Sequence, residues 1–149
     1  MYKLLISFLL IFFDLATKFL IKKNLELNQR VELTNFIDLI YVQNYGVSFG
    51  LLSGFVSHWI LVFVGFMIVL LIMYLTKVSN KNLEKLAYFI IIVGAIANIL
   101  DRVINTFVVD FLLIHYKNFY WPAFNLADIY ITIGIIMLLI SFFIKSEKI

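Results

Sequence analysis

A chain of 149 residues is the size of one domain, yet 64% of it is hydrophobic and only 14% is charged. A water-soluble domain of this size cannot hide that much apolar side chain, so the surplus must face lipid. A formal charge of +3 carried by scattered basic residues gives no support to a nucleic-acid partner, and the absence of cysteine excludes a disulfide framework, a thiolate metal site and a thiol nucleophile.

A bilayer core about 30 Å thick needs about 20 apolar residues in a helix, and four stretches qualify. The first covers about residues 4–21 and is interrupted by Asp14 and Lys18. It is too long and too charged for a cleavable leader, and no small-residue cleavage site follows, so a retained helix is expected. Residues 24–50 come next. They alternate in places and are rich in β-branched and aromatic side chains, which predicts short strands lying on the membrane surface. Within them Asn44-Tyr45-Gly46 reads as a turn.

The second span, about 56–75, carries no charge; the third, about 86–104, holds Asn98, Asp101 and Arg102 towards its end. Residues 105–123 contain Phe111, Tyr116, Phe119, Tyr120 and Trp121, the ring density that headgroup regions attract. Pro122 restrains Trp121 to an extended conformation, so the fourth span, about 124–144, should begin just after it, with Asn125 and Asp128 towards its start. The expected fold class is an all-α polytopic membrane protein: four transmembrane helices in a single membrane-embedded domain, with a small extracytoplasmic β-strand region.

Four spans put both termini on one side. Lys3, Lys77, Lys81, Lys85, Lys145 and Lys148 fall on that side and Lys18, Lys22, Lys23, Arg30, Arg102 and Lys117 on the other, a tie. Discounting Lys18 and Arg102, which lie inside spans, tips the count to cytoplasmic termini.

Charge within hydrocarbon costs several kcal/mol, so each such residue is a functional candidate. Asp14 and Lys18 are four apart, acid first, as in a helical ion pair. Asn98, Asp101 and Arg102 share a helix face, and Asn125 with Asp128 repeats the Asn-x-x-Asp spacing on the next span. Asp110 interrupts the apolar run around Val108-Val109-Asp110-Phe111. The third span ends and the fourth begins on one membrane face, so Asp101, Asp110 and Asp128 should lie at similar depth. Two carboxylates held close in a low dielectric share a proton, and such a pair can activate water and protonate a peptide.

The same residues also admit proton relay, structural ion pairing and interhelical hydrogen bonding. Ser48 with Lys18 could form a nucleophile–base dyad, but nothing sets one against the other. His58 and His115 lack metal-ligand spacing and fit interfacial positions better, so neither a metal nor a cofactor is expected.

At these residues the chain resembles the lipoprotein signal peptidases (signal peptidase II). Asp14-Leu15-Ala16-Thr17-Lys18, Asn44-Tyr45-Gly46-Val47-Ser48-Phe49-Gly50, the stretch from Gly94 to Asn98, Asp101 and Arg102, Val108-Val109-Asp110-Phe111, and Pro122-Ala123-Phe124-Asn125-Leu126-Ala127-Asp128 match that family's five motifs in order. Ala97 stands where the family usually has Gly, and Val47-Ser48 where it commonly has Ala-Ala.

The resemblance implies an intramembrane aspartic endopeptidase of the bacterial inner membrane, with its site near the outer leaflet. It would cut lipid-modified prolipoproteins before the diacylglyceryl-cysteine, with Asp110 and Asp128 catalytic. Asp14, Lys18, Asn44, Gly46, Asn98, Asp101, Arg102 and Asn125 would order or line the site. The resemblance also implies a short interfacial helix beside the surface strands, membrane lipids and globomycin-type inhibitors as partners, and a monomer. Two rival classes stand beside it: a proton-coupled transporter, for which paired broken helices are missing, and a structural membrane subunit whose acids join helices.

Overall fold

The computed structural model describes residues 2–46 and 56–144. Helix α1 spans Tyr2–Asn24, followed by strands β1 (Arg30–Thr34) and β2 (Ile37–Asn44). Helices α2 (His58–Val78) and α3 (Asn82–Asn105) come next, then β3 (Val108–Tyr116), β4 (Phe119–Tyr120) and α4 (Leu126–Phe143). All four helices are long and apolar enough to cross a membrane.

Their burial is inverted relative to a water-soluble bundle. Phe8, Phe63, Leu71 and Phe142 are exposed, whereas Asp14 is 0% and Lys18 1% exposed. Apolar side chains outside and charges inside is the arrangement that lipid as solvent selects. Four long apolar helices thus stand where spans were expected from the sequence, each displaced by a few residues at its ends.

Helix α3 is the hub, packing against α2, α4 and α1. Its seam with α4 is close because the facing residues are small. A Cβ added at Gly94 would meet the Ala127 carbonyl oxygen at 2.5 Å, and one at Gly134 would collide with Ile91 Cγ1. Ala87, Ala97 and Ala127 are fully buried. Ala97, the departure from the family pattern, leaves this small-residue packing intact.

The segments that follow α1 and α3 do not form separate layers. They join in one antiparallel sheet of order β1-β2-β3-β4. The strands expected in 24–50 are present, but residues 105–123 hold a nine-residue strand where an aromatic belt was expected. Strand β3 is mostly buried at Val108–Phe111, so it lacks the alternation that marks a half-exposed strand. No short interfacial helix occurs among the described residues.

Helix α3 runs into β3 through Thr106 and Phe107, with Thr106 in the left-handed conformation (φ 69°) and its N–H donating to the Arg102 carbonyl at 2.9 Å. That tight exit sets β3 directly against the end of α3. The sheet is secured to the bundle by a small core of Ile21, Tyr41, Val109 and Phe111.

Helix α4 begins at Leu126, later than Pro122 alone suggests. Phe124 still belongs to the sheet edge, bridging Leu112, and its carbonyl accepts from Phe111 and Leu112. Asn125 is thus the N-cap in extended conformation. It does not share a helix face with Asp128 as the repeated Asn-x-x-Asp spacing suggested; the two form a reciprocal capping box.

Candidate active site

The acids converge where the C-terminal ends of α1 and α3 meet the N-terminal end of α4 and the sheet. Asp14 and Lys18 form the expected ion pair at 2.8 Å. Lys18 does more than neutralise its neighbour on α1: Nζ donates to Asn98 Oδ1 at 2.8 Å and lies 3.5 Å from Asp101. The other Asp14 oxygen, Oδ1, accepts the Ala127 N–H at 2.8 Å, so α1 helps cap α4. A carboxylate at a helix N-terminus is favoured both by the unpaired N–H groups and by the helix dipole.

Asp101 and Arg102, adjacent in sequence, face different partners. Asp101 accepts the Val109 N–H at 2.8 Å and Asn105 Nδ2 at 2.7 Å, anchoring the start of β3. Asn105 in turn accepts from Lys22 Nζ. Arg102 reaches the 44–46 turn, where it donates to the Gly46 carbonyl. That turn is closed by Asn44 Oδ1, which accepts the Gly46 N–H at 2.9 Å.

Asp110 and Asp128 are linked through asparagines. Asn125 Nδ2 donates to Asp110 Oδ1 at 2.6 Å, and Asn125 Oδ1 accepts the Asp128 N–H at 3.0 Å. Asp128 Oδ2 returns the contact by accepting the Asn125 N–H at 3.2 Å. Asn44 Nδ2 holds the other Asp110 oxygen at 2.9 Å, and Asn98 Nδ2 holds Asp128 Oδ1 at 2.8 Å.

Sheet register explains the Asn44 contact. Asn44 pairs with Val108 and Val42 with Asp110, so Asn44 and Asp110 are diagonal neighbours on one face. Asp14, Asp101 and Asp110 are buried in this cluster together with the cations Lys18 and Arg102. Burial, followed by the nearby Asp128 charge, pushes the Asp110 carboxyl up to about 7, against the opposing hydrogen bonds from Asn44 and Asn125.

Both acids line a cavity of about 860 Å3. Asn44, Gly46, Asn98 and Arg102 complete its polar end. Most of its remaining wall is apolar, from Ile129 and Ile133 on α4 to Phe119 and Trp121 at the sheet, with His115 and Thr132 among the lining residues. A space with polar groups at one end and hydrocarbon along the rest suits an amphipathic ligand entering from the bilayer.

Comparison with known proteins identifies the family. The family described as Signal peptidase (SPase) II matches residues 6–144. The chain belongs to the signal peptidase II family. It is 42% identical over 142 residues to the lipoprotein signal peptidase of Thermodesulfovibrio yellowstonii, covering 92% of both chains. Against the lipoprotein signal peptidase of Vibrio parahaemolyticus it is 36% identical, covering 90% of this chain and 83% of the relative. A solved bacterial membrane enzyme superposes with a TM-score of 0.85 at 25% identity over 99% of this chain and 94% of its own. A second superposes with a TM-score of 0.83 at 26% identity, covering 97% and 94%. With four helices long and apolar enough to cross a membrane, this signal peptidase II family member is a multi-pass bacterial membrane protein.

The structure brings all ten site residues expected from the sequence into this one polar cluster. Among the described residues no cluster of His, Asp and Glu could hold a metal ion. His58 lies in tilted ring contact with Trp59 at the start of α2, and His115 pairs with Asp38. Ser48 and Val47 lie outside the described residues. The reading of isolated spans missed Lys22 and Asn105, although their four-residue offsets from Lys18 and Asp101 carry the signal. It also missed the polar group around Asp38.

Proposed function

We propose that the chain is an aspartic endopeptidase that removes signal peptides from lipid-modified prolipoproteins, with Asp110 and Asp128 as its catalytic pair. The observation that carries this reading is that Asp110 on β3 and Asp128 on α4 share one cavity and are bridged by Asn125. Family membership supplies the class, a protease acting on lipoprotein signal peptides.

In the proposed reaction the pair holds one proton. Asp110, pushed up to about 7, keeps it at neutrality. Ionised Asp128 takes a proton from water as the water oxygen attacks the scissile carbonyl carbon. Asp110 gives its proton to the carbonyl oxygen, producing a tetrahedral diol. Asp128 then protonates the departing amine while Asp110 recovers a proton from the diol; the C–N bond breaks and the starting protonation state returns.

Asn44, Asn98 and Asn125 hold the carboxylates. Asp14, Lys18, Asp101, Arg102 and the turn at Gly46 brace them. Preorganised donors of this kind act without reorganisation during the reaction.

The substrate would enter laterally. Its acyl chains would lie along the apolar part of the cavity, where binding remote from the scissile bond positions that bond. Globomycin-type cyclic peptides are proposed for the same cavity. We place both termini in the cytoplasm and the site at the outer leaflet, following the lysine count once Lys18 and Arg102 are assigned to the site.

The test is cleavage of a lipid-modified prolipoprotein by the purified protein in detergent. Wild type should cleave before the modified cysteine. Asp110→Asn and Asp128→Asn should each lower kcat by a factor on the order of 1000 or more, with helical content retained. Wild-type activity in both variants would refute the pair. Loss in Asp101→Asn with normal turnover in Asp110→Asn would point to a different acid.

A further inference from the structure

A second polar group sits behind the cavity wall. Asp38 on β2 is 0% exposed although it lies on a surface sheet. Arg30 and His115 both approach its Oδ2 atom, His115 Nε2 at 3.2 Å. The register accounts for this convergence. Arg30 pairs with Ile40 and Asp38 with Leu113, so Arg30 and His115 are diagonal neighbours of Asp38 from its two flanking strands.

The row continues into β4. His115 pairs directly with Tyr120, their rings 5.5 Å apart, and the Arg30 guanidinium lies 4.7 Å from the Tyr120 ring centroid. One buried carboxylate thus ties β1, β2 and β3 together, and its two partners, Arg30 and His115, both lie against the Tyr120 ring of β4. Strand β4 has only two residues, too few to hold its place by backbone pairing alone. The hairpin it closes carries Ile114, Tyr116, Phe119 and Trp121, all in the cavity lining, and His115 itself is part of that lining.

We propose that Asp38 is a positioning residue: acting through Arg30 and His115, it holds the β3–β4 hairpin as the fixed wall against which substrate lies opposite α4. This rests on the peptidase reading above. Among the described residues, Asp38, Arg30 and His115 form no hydrogen bond or ion pair with Asp110 or Asp128, so the brace acts on substrate placement and leaves the acids alone. A fixed aromatic wall lowers the ordering cost of binding, and losing it raises KM with kcat retained.

The experiment measures kcat and KM for a lipid-modified prolipoprotein with Asp38→Asn, His115→Gln, the double variant and Asp38→Glu. The first two should each raise KM by about three- to tenfold with kcat within about twofold. The double variant should go little beyond the larger single effect, because the groups act as one unit. Asp38→Glu should recover part of the loss. Unchanged KM in folded Asp38→Asn, or kcat falling in step with any rise in KM, would overturn the proposal. Should Asp38→Asn fail to fold, His115→Gln carries the test, and unchanged KM there overturns it equally. A wild type that cleaves nothing refutes the peptidase reading; a wild type that cleaves beside Asp38→Asn of equal KM refutes only the brace.

Discussion

At the scale of single residues, the distinguishing property of Asp110 is that it holds a proton near neutrality. Its carboxyl is raised to about 7, first by burial and then by the charge of Asp128. The sign follows directly. The folded protein binds that proton more tightly than the unfolded chain, so this group's contribution to stability is full below the ordinary Asp range and is lost as pH rises through about 7. Activity that needs the proton should fall over the same upper limb. Cleavage measured from pH 5 to 9 should therefore decline above about 7, and a rate independent of pH between 6 and 9 would contradict the assignment. Lys18 shows the other side of burial. It is 1% exposed and pairs with Asp14, Asp101 and Asn98 together, so no one of these residues is explained by its neighbour in sequence alone.

At the scale of elements, the site depends on how α4 starts and how closely it approaches α3. The start combines three contacts: Asn125 Oδ1 on the Asp128 N–H, Asp128 Oδ2 on the Asn125 N–H, and Asp14 Oδ1 on the Ala127 N–H. The approach depends on Gly94, where an added Cβ would press on the Ala127 carbonyl at 2.5 Å and Ile131 Cγ1 at 2.9 Å. Gly94→Ala must push α4 away from α3 next to Asp128. We expect it to cost about 1–3 kcal/mol, read as a lower thermal midpoint, and to reduce kcat through the displaced acid. A midpoint and kcat equal to wild type would mean that the seam yields without moving the site. The elements also show where local reading ran out. The helices were legible from apolar length, but β3 was not, because a strand covered on both faces looks like any short apolar run. Helix α4 was placed slightly early because Pro122 marks where a helix cannot yet run, whereas the cap at Asn125 marks where it begins.

At the scale of the whole molecule, the sheet and the polar cluster occupy one end of the bundle, so the membrane side that this end faces decides from where the cluster is reached. The chain contains no cysteine, which makes a single introduced thiol unambiguous. Lys117, in the β3–β4 turn with φ 54°, is far in sequence from the proposed acids. In Lys117→Cys, a membrane-impermeant maleimide should label intact spheroplasts. Labelling only after the membrane is opened would reverse the proposed orientation.

Composition and span length alone determined that this chain lives in a bilayer with four helices, since both follow from how much apolar surface must be hidden and how far a helix must reach. They also determined which residues were anomalous, because a charge in hydrocarbon is costly wherever the chain goes. Pairing was beyond them. Asp101, Asp110 and Asp128 were equally eligible by spacing and depth, and only the resemblance to signal peptidase II favoured the latter two. Tertiary structure set Asp101 to anchoring β3 and brought Asp110 and Asp128 to one cavity through Asn125. It also gathered Arg30, Asp38 and His115 into one row, residues that looked like unrelated surface polar groups along the chain. The physical reason is that burial and strand register are long-range properties: which charges meet depends on segments tens of residues apart.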